Sequence, residues 1–514
     1  MIRVAQSIRS LLPLVAAAAL APVTSSTWSV VVVDTLTGEV CISSATCIAN
    51  FNLQKNLAVV VPGVGAAACQ SMIDATGANR LLIWNELQQG VAPAQILAHL
   101  AATDSNHQSR QYGITSLAGA PITFTGQFAG EGKEGVIGSV GTLRYAIQGN
   151  VLTGDPVVYA AETALLAASG SLADRVMAAM EAARAFGGDG RCSCSQIAPT
   201  SCGSPPASFN KSAHCGFLVL ARVGDPLGTC SFATGCANGG HYLGLNVAGA
   251  DSQASDPDPV LQLSAKLAQW KLDHVGHPDH LTSSATPSAQ SLVADGHDAL
   301  AVTVRLADFA GTPLSSGGNA ITVAQISGPA GLASIGPVAD LGDGSYRFAL
   351  TASTSAGNGA FAIRVADGAY TVQLYPPLSL RVDPLVPLHC GFDVVAASAP
   401  VAVPLTINAG AALAAQPYLV LASASGTQPG LTLQGGIHLP LNPDPLLAFT
   451  LSAGAVPYFT GGVGVLDADG RANALLDLSA GSLAALVGAR LDFAAVVRAS
   501  TLAPTNAAGF DVVP

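Results

Sequence analysis

Beyond the N-terminus, Gly, Pro, Asn or Ser interrupts every apolar run of this chain. None reaches the roughly 18–20 residues that a helix needs to cross a bilayer. That punctuation is decisive because 50% of the residues are hydrophobic and only 10% charged, against about 25% charged in an ordinary soluble domain. Composition alone would suggest a membrane protein; the interruptions instead divide the apolar content among many short, buried elements. A charge-rich disordered chain is excluded as well, since this much hydrophobic side chain can bury a core. At about 100–200 residues per domain, 514 residues predict two to four domains.

The N-terminus has the layout of a secretory signal over residues 1–26. Arg3 and Arg9 provide a positive start, Leu11 to Ala21 a short apolar core, and Pro22-Val23-Thr24-Ser25-Ser26 the small residues that precede cleavage. The expected location is therefore secreted or cell-surface, extracellular or periplasmic, with no membrane span. Removal of the signal leaves 19 basic against 32 acidic residues, a net charge of −13. So acidic a chain is not expected to bind nucleic acid through phosphate contacts. In an oxidising compartment the ten cysteines are expected to pair. Cys192, Cys194, Cys202, Cys230 and Cys236, in Gly/Pro/Ser-rich sequence, read as staples. A zinc set of Cys192, Cys194, Cys202 and His214 is the rival reading, but its spacing matches no familiar zinc motif. No metal or other cofactor is expected.

Residues 27–272 mix strand and helix signals. Residues 273–290 are polar and linker-like, and from 291 onward short Val/Leu/Thr/Ala runs punctuated by Gly, Pro, Asn and Asp follow the pattern of β-sandwiches. The linker holds His274, His277, His280, Asp273 and Asp279, residue types that can ligate a metal but here lack a rigid scaffold. The first region predicts strands at 28–33, 39–44, 57–61, 111–117, 122–125, 144–148 and 216–223. Helices are predicted at 78–89, 93–102, 156–168 and 172–186. Paired helices among strand-rich segments point to a layered αββα arrangement.

Several segments of this region carry a family resemblance. They are Thr27-Trp28-Ser29-Val30-Val31-Val32-Val33-Asp34, Gly63-Val64-Gly65-Ala66 with Gln70, Arg110-Gln111-Tyr112-Gly113, Phe124-Thr125-Gly126, Gln148-Gly149-Asn150-Val151-Leu152, Gly187-Gly188-Asp189-Gly190-Arg191 and Asp256-Pro257-Asp258-Pro259-Val260. In this order they resemble the domain of unknown function family 1028, grouped with the N-terminal nucleophile (Ntn) hydrolases. The resemblance implies an α+β, Ntn-hydrolase-like sandwich over 27–272 and a chemistry that acts from a free N-terminal residue. The hydroxyl of that residue attacks an amide carbonyl while its own α-amine, of pKa near ~7.7–8.0, serves as base. Thr27 is the implied nucleophile, exposed by cleavage after Ser26. By similarity to proteasome-type members, Lys55 stands where a lysine eases proton transfer, Asp189 and Ser212 where supporting groups lie, and Gln148-Gly149-Asn150 where backbone amides serve an oxyanion. The pattern departs at Ser44, where the proteasome type has an acid, and in the Cys-rich insertion between Arg191 and Lys211.

Residues 291–383 resemble a group 1 bacterial Ig-like domain of the invasin and intimin type. The resemblance rests on Val293-Ala294-Asp295-Gly296, Gly311-Thr312-Pro313-Leu314 and Asp343-Gly344-Ser345-Tyr346. Through Gly461-Gly462-Val463-Gly464-Val465-Leu466-Asp467 and Gly470-Arg471-Ala472, residues 384–514 resemble, more loosely, a second β-sandwich found at the ends of secreted planctomycete proteins. For it a structural spacer is favoured over carbohydrate or cell-surface attachment. The expected function is a secreted hydrolase of an amide bond in a small-molecule or peptide-like substrate. The alternative is a non-catalytic surface or adhesion protein that retains the Ntn fold.

Overall fold

The structure, a computed structural model, describes residues 27–368, 370–433, 435–452 and 458–514. The signal expected over residues 1–26 lies outside the described residues. The described residues form two compact units that divide between 268 and 269.

Within the first unit run β1 (Thr27–Asp34), β2 (Val40–Thr46), α1 (Leu53–Leu57), β3 (Ala58–Val61), β4 (Gly65–Ser71), α2 (Ala78–Gln88), α3 (Pro93–Thr103), β5 (Arg110–Ser116) and β6 (Ile122–Thr125). They continue with β7 (Glu134–Val140), β8 (Leu143–Asn150), α4 (Pro156–Ala167), α5 (Leu172–Ala185), α6 (Gly190–Ser193), β9 (Cys215–Ala221) and β10 (Leu243–Val247). A last helix, α7 (Pro259–Asp273), carries the chain out of the unit.

Two sheets result, ordered β10-β9-β2-β1-β8-β7 and β3-β4-β5-β6. Strand alternation sends Val31 and Val33 of β1, Ile42 of β2 and Phe217 and Val219 of β9 against Val60 of β3 and Ala66 and Ala68 of β4, forming the core between the sheets. The small alanines of β4 let the sheets approach closely. On the far side of the second sheet, Ile83 and Leu87 of α2 and Ile96 and Leu100 of α3 cover Val59, Cys69, Tyr112 and Ile114. On the far side of the first sheet, α4 packs on β7 and β8, and α5 on β1, β2 and β9. Val30 and Val32 are fully buried beneath them.

The strand-rich second unit contains two pairs of sheets. In the first pair, Ala299–Arg305 and Ser345–Ala352 form the centre of one sheet, and Gly357–Ala366 with Leu378–Asp383 the centre of the other. Ser284–Pro287, inside the polar 273–290 stretch, joins the first sheet by pairing with Val302–Arg305. His277 Nδ1 pairs with Asp367 and His280 Nδ1 with the Gln373 carbonyl, so these imidazoles bind the sandwich itself. In the second pair, Val401–Asn408 lies beside Arg471–Leu478, and Pro417–Ser423 beside Arg490–Arg498, around a core that includes Leu405, Ile407, Phe493 and Phe510. Among the described residues, no helix is long and apolar enough to cross a membrane.

Candidate functional site

Thr27 opens β1 and is fully buried. It shares a face with Ser29, Val31 and Val33, so its side chain points between the two sheets. Its strand partner is Asn150, and Ser29 stands opposite Gln148 on one side and Ser44 on the other. Where the inter-sheet core is valine and alanine further along, this end is polar. Gln70 of β4 reaches across the gap, its Nε2 donating to the Thr27 carbonyl at 2.9 Å and to Gln111 Oε1 at 2.7 Å. Its Oε1 accepts from Ser29 Oγ, which also lies 2.9 Å from Ser44 Oγ. Gln111 Nε2 in turn donates to the Gly149 carbonyl at 2.9 Å and to Thr125 Oγ1 at 2.8 Å.

Not every polar atom here is satisfied. Thr27 Oγ1 and both amide atoms of Gln148 are buried without a hydrogen-bond partner. A buried polar atom without a partner calls for an explanation, such as strain, an ordered water or a reactive role. Gln148 is held over Gly113, where even a Cβ would come within 2.1 Å of Oε1.

The other expected site residues distribute unevenly. Gln148 and Gly149 pair with β1 on one side and β7 on the other, whereas Asn150 pairs in the sheet with Thr27 and donates its Nδ2 to the Ala129 carbonyl at 3.1 Å. Asp189, fully buried, caps α6 and accepts from the Cys47 amide at 2.7 Å and the Arg191 amide at 3.0 Å. It also pairs with the Arg191 guanidinium at 3.0 Å. Cys47 follows β2 two residues after Ala45, the partner of Trp28, which brings Asp189 to the same end of the sheet. Ser212 is tied to that loop by the Asp189 amide, which donates to its carbonyl at 3.1 Å. Its hydroxyl donates to Asp258 at 2.8 Å. Lys55 makes no hydrogen bond to this network among the described residues. It lies in α1, half-buried, its amide donating to Asn52 Oδ1, and its ammonium makes no hydrogen bond or ion pair among the described residues.

The cysteines form three bridges, Cys47–Cys192, Cys194–Cys202 and Cys230–Cys236, while Cys41, Cys69, Cys215 and Cys390 remain buried thiols. All five cysteines read as staples are paired, with Cys47 the distant partner. The sulfurs of Cys47 and Cys192 lie within 4.8 Å of a His214 ring nitrogen, the closest approach to a metal-ligand group among the described residues. As a disulfide the two sulfurs are not thiolates, so the set lacks the donors a soft metal takes. Burial pushes the His214 pKa down, with Lys211 acting in the same direction.

Residues 27–198 match DUF1028, a family of unknown function. This region carries a DUF1028 domain. Thr27, Lys55, Gln148, Gly149, Asn150 and Asp189 lie inside the matched DUF1028 stretch, and Ser212 beyond it. Residues 279–375 match invasin domain 3, so the chain joins a DUF1028 domain to an invasin/intimin-like Ig domain. The DUF1028 protein SPO2555 from Silicibacter pomeroyi is 17% identical over 48% of this chain and 89% of that one, with a TM-score of 0.35. The Yersinia pseudotuberculosis adhesin InvE is 17% identical over 45% of this chain and 58% of its own, under two thirds of its length, with a TM-score of 0.17. The D0-D1 domain of intimin is 12% identical over 44% and 97%, with a TM-score of 0.16. No curated protein matches the chain.

Gln70, Gln111 and Asp258 lie within the segments that carry the family resemblance, but nothing in the sequence assigns them a role.

Proposed function

We propose that the DUF1028 domain is an Ntn-type hydrolase of an amide bond in a small-molecule or peptide-like substrate. The observation that carries this reading is Thr27 Oγ1: buried, unpartnered and facing a polar gap between two sheets. The helix–sheet–sheet–helix layering supports it, as does the neighbouring orphaned amide of Gln148. Cleavage of the Ser26–Thr27 bond frees the Thr27 amine. Oγ1 then bonds to the substrate carbonyl carbon, its proton passes through the α-amine to the leaving nitrogen as the C–N bond breaks, and water hydrolyses the resulting ester. Asn150 at the end of β8 is the nearest of the expected oxyanion residues, and Gln70 fixes the Thr27 backbone. Asp189 and Ser212 hold the surrounding loop. Lys55 is assigned the proton-transfer role by its place before β3, and Lys55→Ala tests that assignment separately.

Intact-mass measurement and N-terminal sequencing of the secreted protein should find a chain starting at Thr27. A hydroxyl-directed β-lactone should then label that chain and leave Thr27→Ala unlabelled. A mature start elsewhere, or equal labelling of the variant, overturns the nucleophile.

The match to invasin domain 3 favours a second reading, in which the chain is a secreted or surface-attached adhesion protein whose β domains engage a cell surface. Binding of the full chain to whole cells, undiminished by Thr27→Ala, is the result this reading expects.

A further inference from the structure

The strands Pro417–Ser423 and Arg490–Arg498 pair antiparallel, with Tyr418 opposite Val497 and Leu421 opposite Ala494. Alternation sends Tyr418, Val420, Phe493 and Val497 into the sandwich core. Leu419, Leu421, Ala494 and Val496 face the other way, where they meet a thin outer layer. That layer consists of a two-stranded hairpin, Leu431–Thr432 with His438–Leu439, and the short helix Pro445–Thr450.

Among the described residues, this layer does not close over the sheet. It leaves a cavity of about 340 Å³ walled mostly by leucine, with Pro417, Tyr418 and Val496, within the range of about 300–1,000 Å³ typical of small-ligand sites. One cationic side chain, Arg498, stands in its lining. Arg498 has the same parity along its strand as Ala494 and Val496, so it emerges on the cavity's face of the sheet. Residues 384–514 contain three arginines and no lysine. Arg471 pairs with Asp469, and Arg490 with Asp492 and Asp511, but Arg498 has no carboxylate partner among the described residues.

We propose that this cavity binds a single-chain aliphatic carboxylate, with the tail among the leucines and the carboxylate on Arg498. Arg498 is exposed at the end of its strand, so it stands at the solvent-facing edge of the cavity, where its guanidinium presents paired donors that match a carboxylate while the tail lies inside. A sugar would leave hydroxyls without partners against leucine, a substantial penalty. A cationic amphiphile would meet Arg498 with like charge.

Isothermal titration of the full chain with decanoate, 1-decanol and decyltrimethylammonium, all below their micellar concentrations, tests the assignment. Decanoate should bind, 1-decanol about three- to tenfold more weakly, and decyltrimethylammonium not measurably. Arg498→Gln should reduce decanoate to the affinity of 1-decanol and leave 1-decanol unchanged. Leu502, over a third exposed, pairs directly with Arg498 across the hairpin. Leu502→Glu should therefore engage Arg498 and weaken decanoate selectively, which preserves the test if Arg498→Gln fails to fold. No heat with decanoate, equal binding of the anionic and cationic amphiphiles, or decanoate affinity unchanged in both variants overturns the proposal.

Discussion

Gly188 and Gly141 both hold φ of +58°, yet their surroundings differ completely. A Cβ at Gly188 would come within 2.7 Å of the Trp28 indole and 3.0 Å of the Ser212 Cβ, while a Cβ at Gly141 would meet nothing within 4 Å. Gly141→Ala should therefore cost about 1 kcal/mol, the backbone penalty alone. Gly188→Ala should cost about 2–4 kcal/mol, because the buried indole cannot move aside. Urea midpoints of the two variants measure the difference. A Gly188→Ala cost no larger than that of Gly141→Ala would show that Trp28 has room to shift. The candidate site was partly legible: Thr27, Asp189 and Ser212 are placed by the family resemblance, and Lys55 and Asp189 also stand out because charged residues are so few. Their partners Gln70, Gln111 and Asp258 did not. Each pairing depends on register between strands or loops that lie about forty residues or more apart in the chain.

Among the elements, α2, α3 and β5 meet at Asp104, which caps the C-terminus of α3. Its carboxylate accepts from Asn79 at 2.7 Å and from Arg110 at 2.8 Å, with Tyr112 at the edge of the group. Burial alone would raise the Asp104 pKa; the bonds from Arg110 and Asn79 outweigh it and hold the carboxyl down at about 2. A carboxyl lowered on folding stabilises the native state above its unfolded pKa of about 3.9 and loses that contribution as pH falls toward 2. The first unit should thus lose about 2 kcal/mol between pH 4 and pH 2 through this group. Asp104→Asn should flatten that limb of the curve in denaturant titrations, at a constant penalty at neutral pH. The sequence makes β1, β2, β3, β5 and both helix pairs readable, because runs of β-branched or aromatic residues and helical periods are local signals. It does not reveal β4, β7 or β10. β4 is Gly-Ala-Ala-Ala-Cys-Gln-Ser and lacks the branched residues that favour strands, so burial between sheets decides its conformation. β7 is a half-exposed edge with two glycines, and Ser284–Pro287 forms a strand within sequence that reads as linker.

Across the whole chain, charge is scarce and apolar content is high, and the molecule resolves that combination by distributing small side chains through several thin layers. Covalent bridges add to them unequally. Cys47–Cys192 spans 145 residues and Cys194–Cys202 only 8. By loop-closure entropy the first should contribute about 5 kcal/mol and the second about 2.5 kcal/mol. Replacing Cys47 and Cys192 by serine should accordingly lower stability about twice as much as the same change at Cys194 and Cys202, read from unfolding midpoints alongside non-reducing peptide maps. Equal losses would show that the long bridge constrains an already compact unfolded chain. The length of that bridge also sets an order of events. Synthesis delivers Cys41 and Cys47, six residues apart, long before Cys192 exists, at about 5–20 residues per second. During that interval Cys47 has only wrong partners, Cys41 and Cys69, both thiols in the finished fold. Correct assembly therefore requires that the early cysteines stay reduced until the second helix pair has been made, or that a mispaired bond be exchanged afterwards. Yield of the native protein should depend as much on an isomerase as on an oxidant.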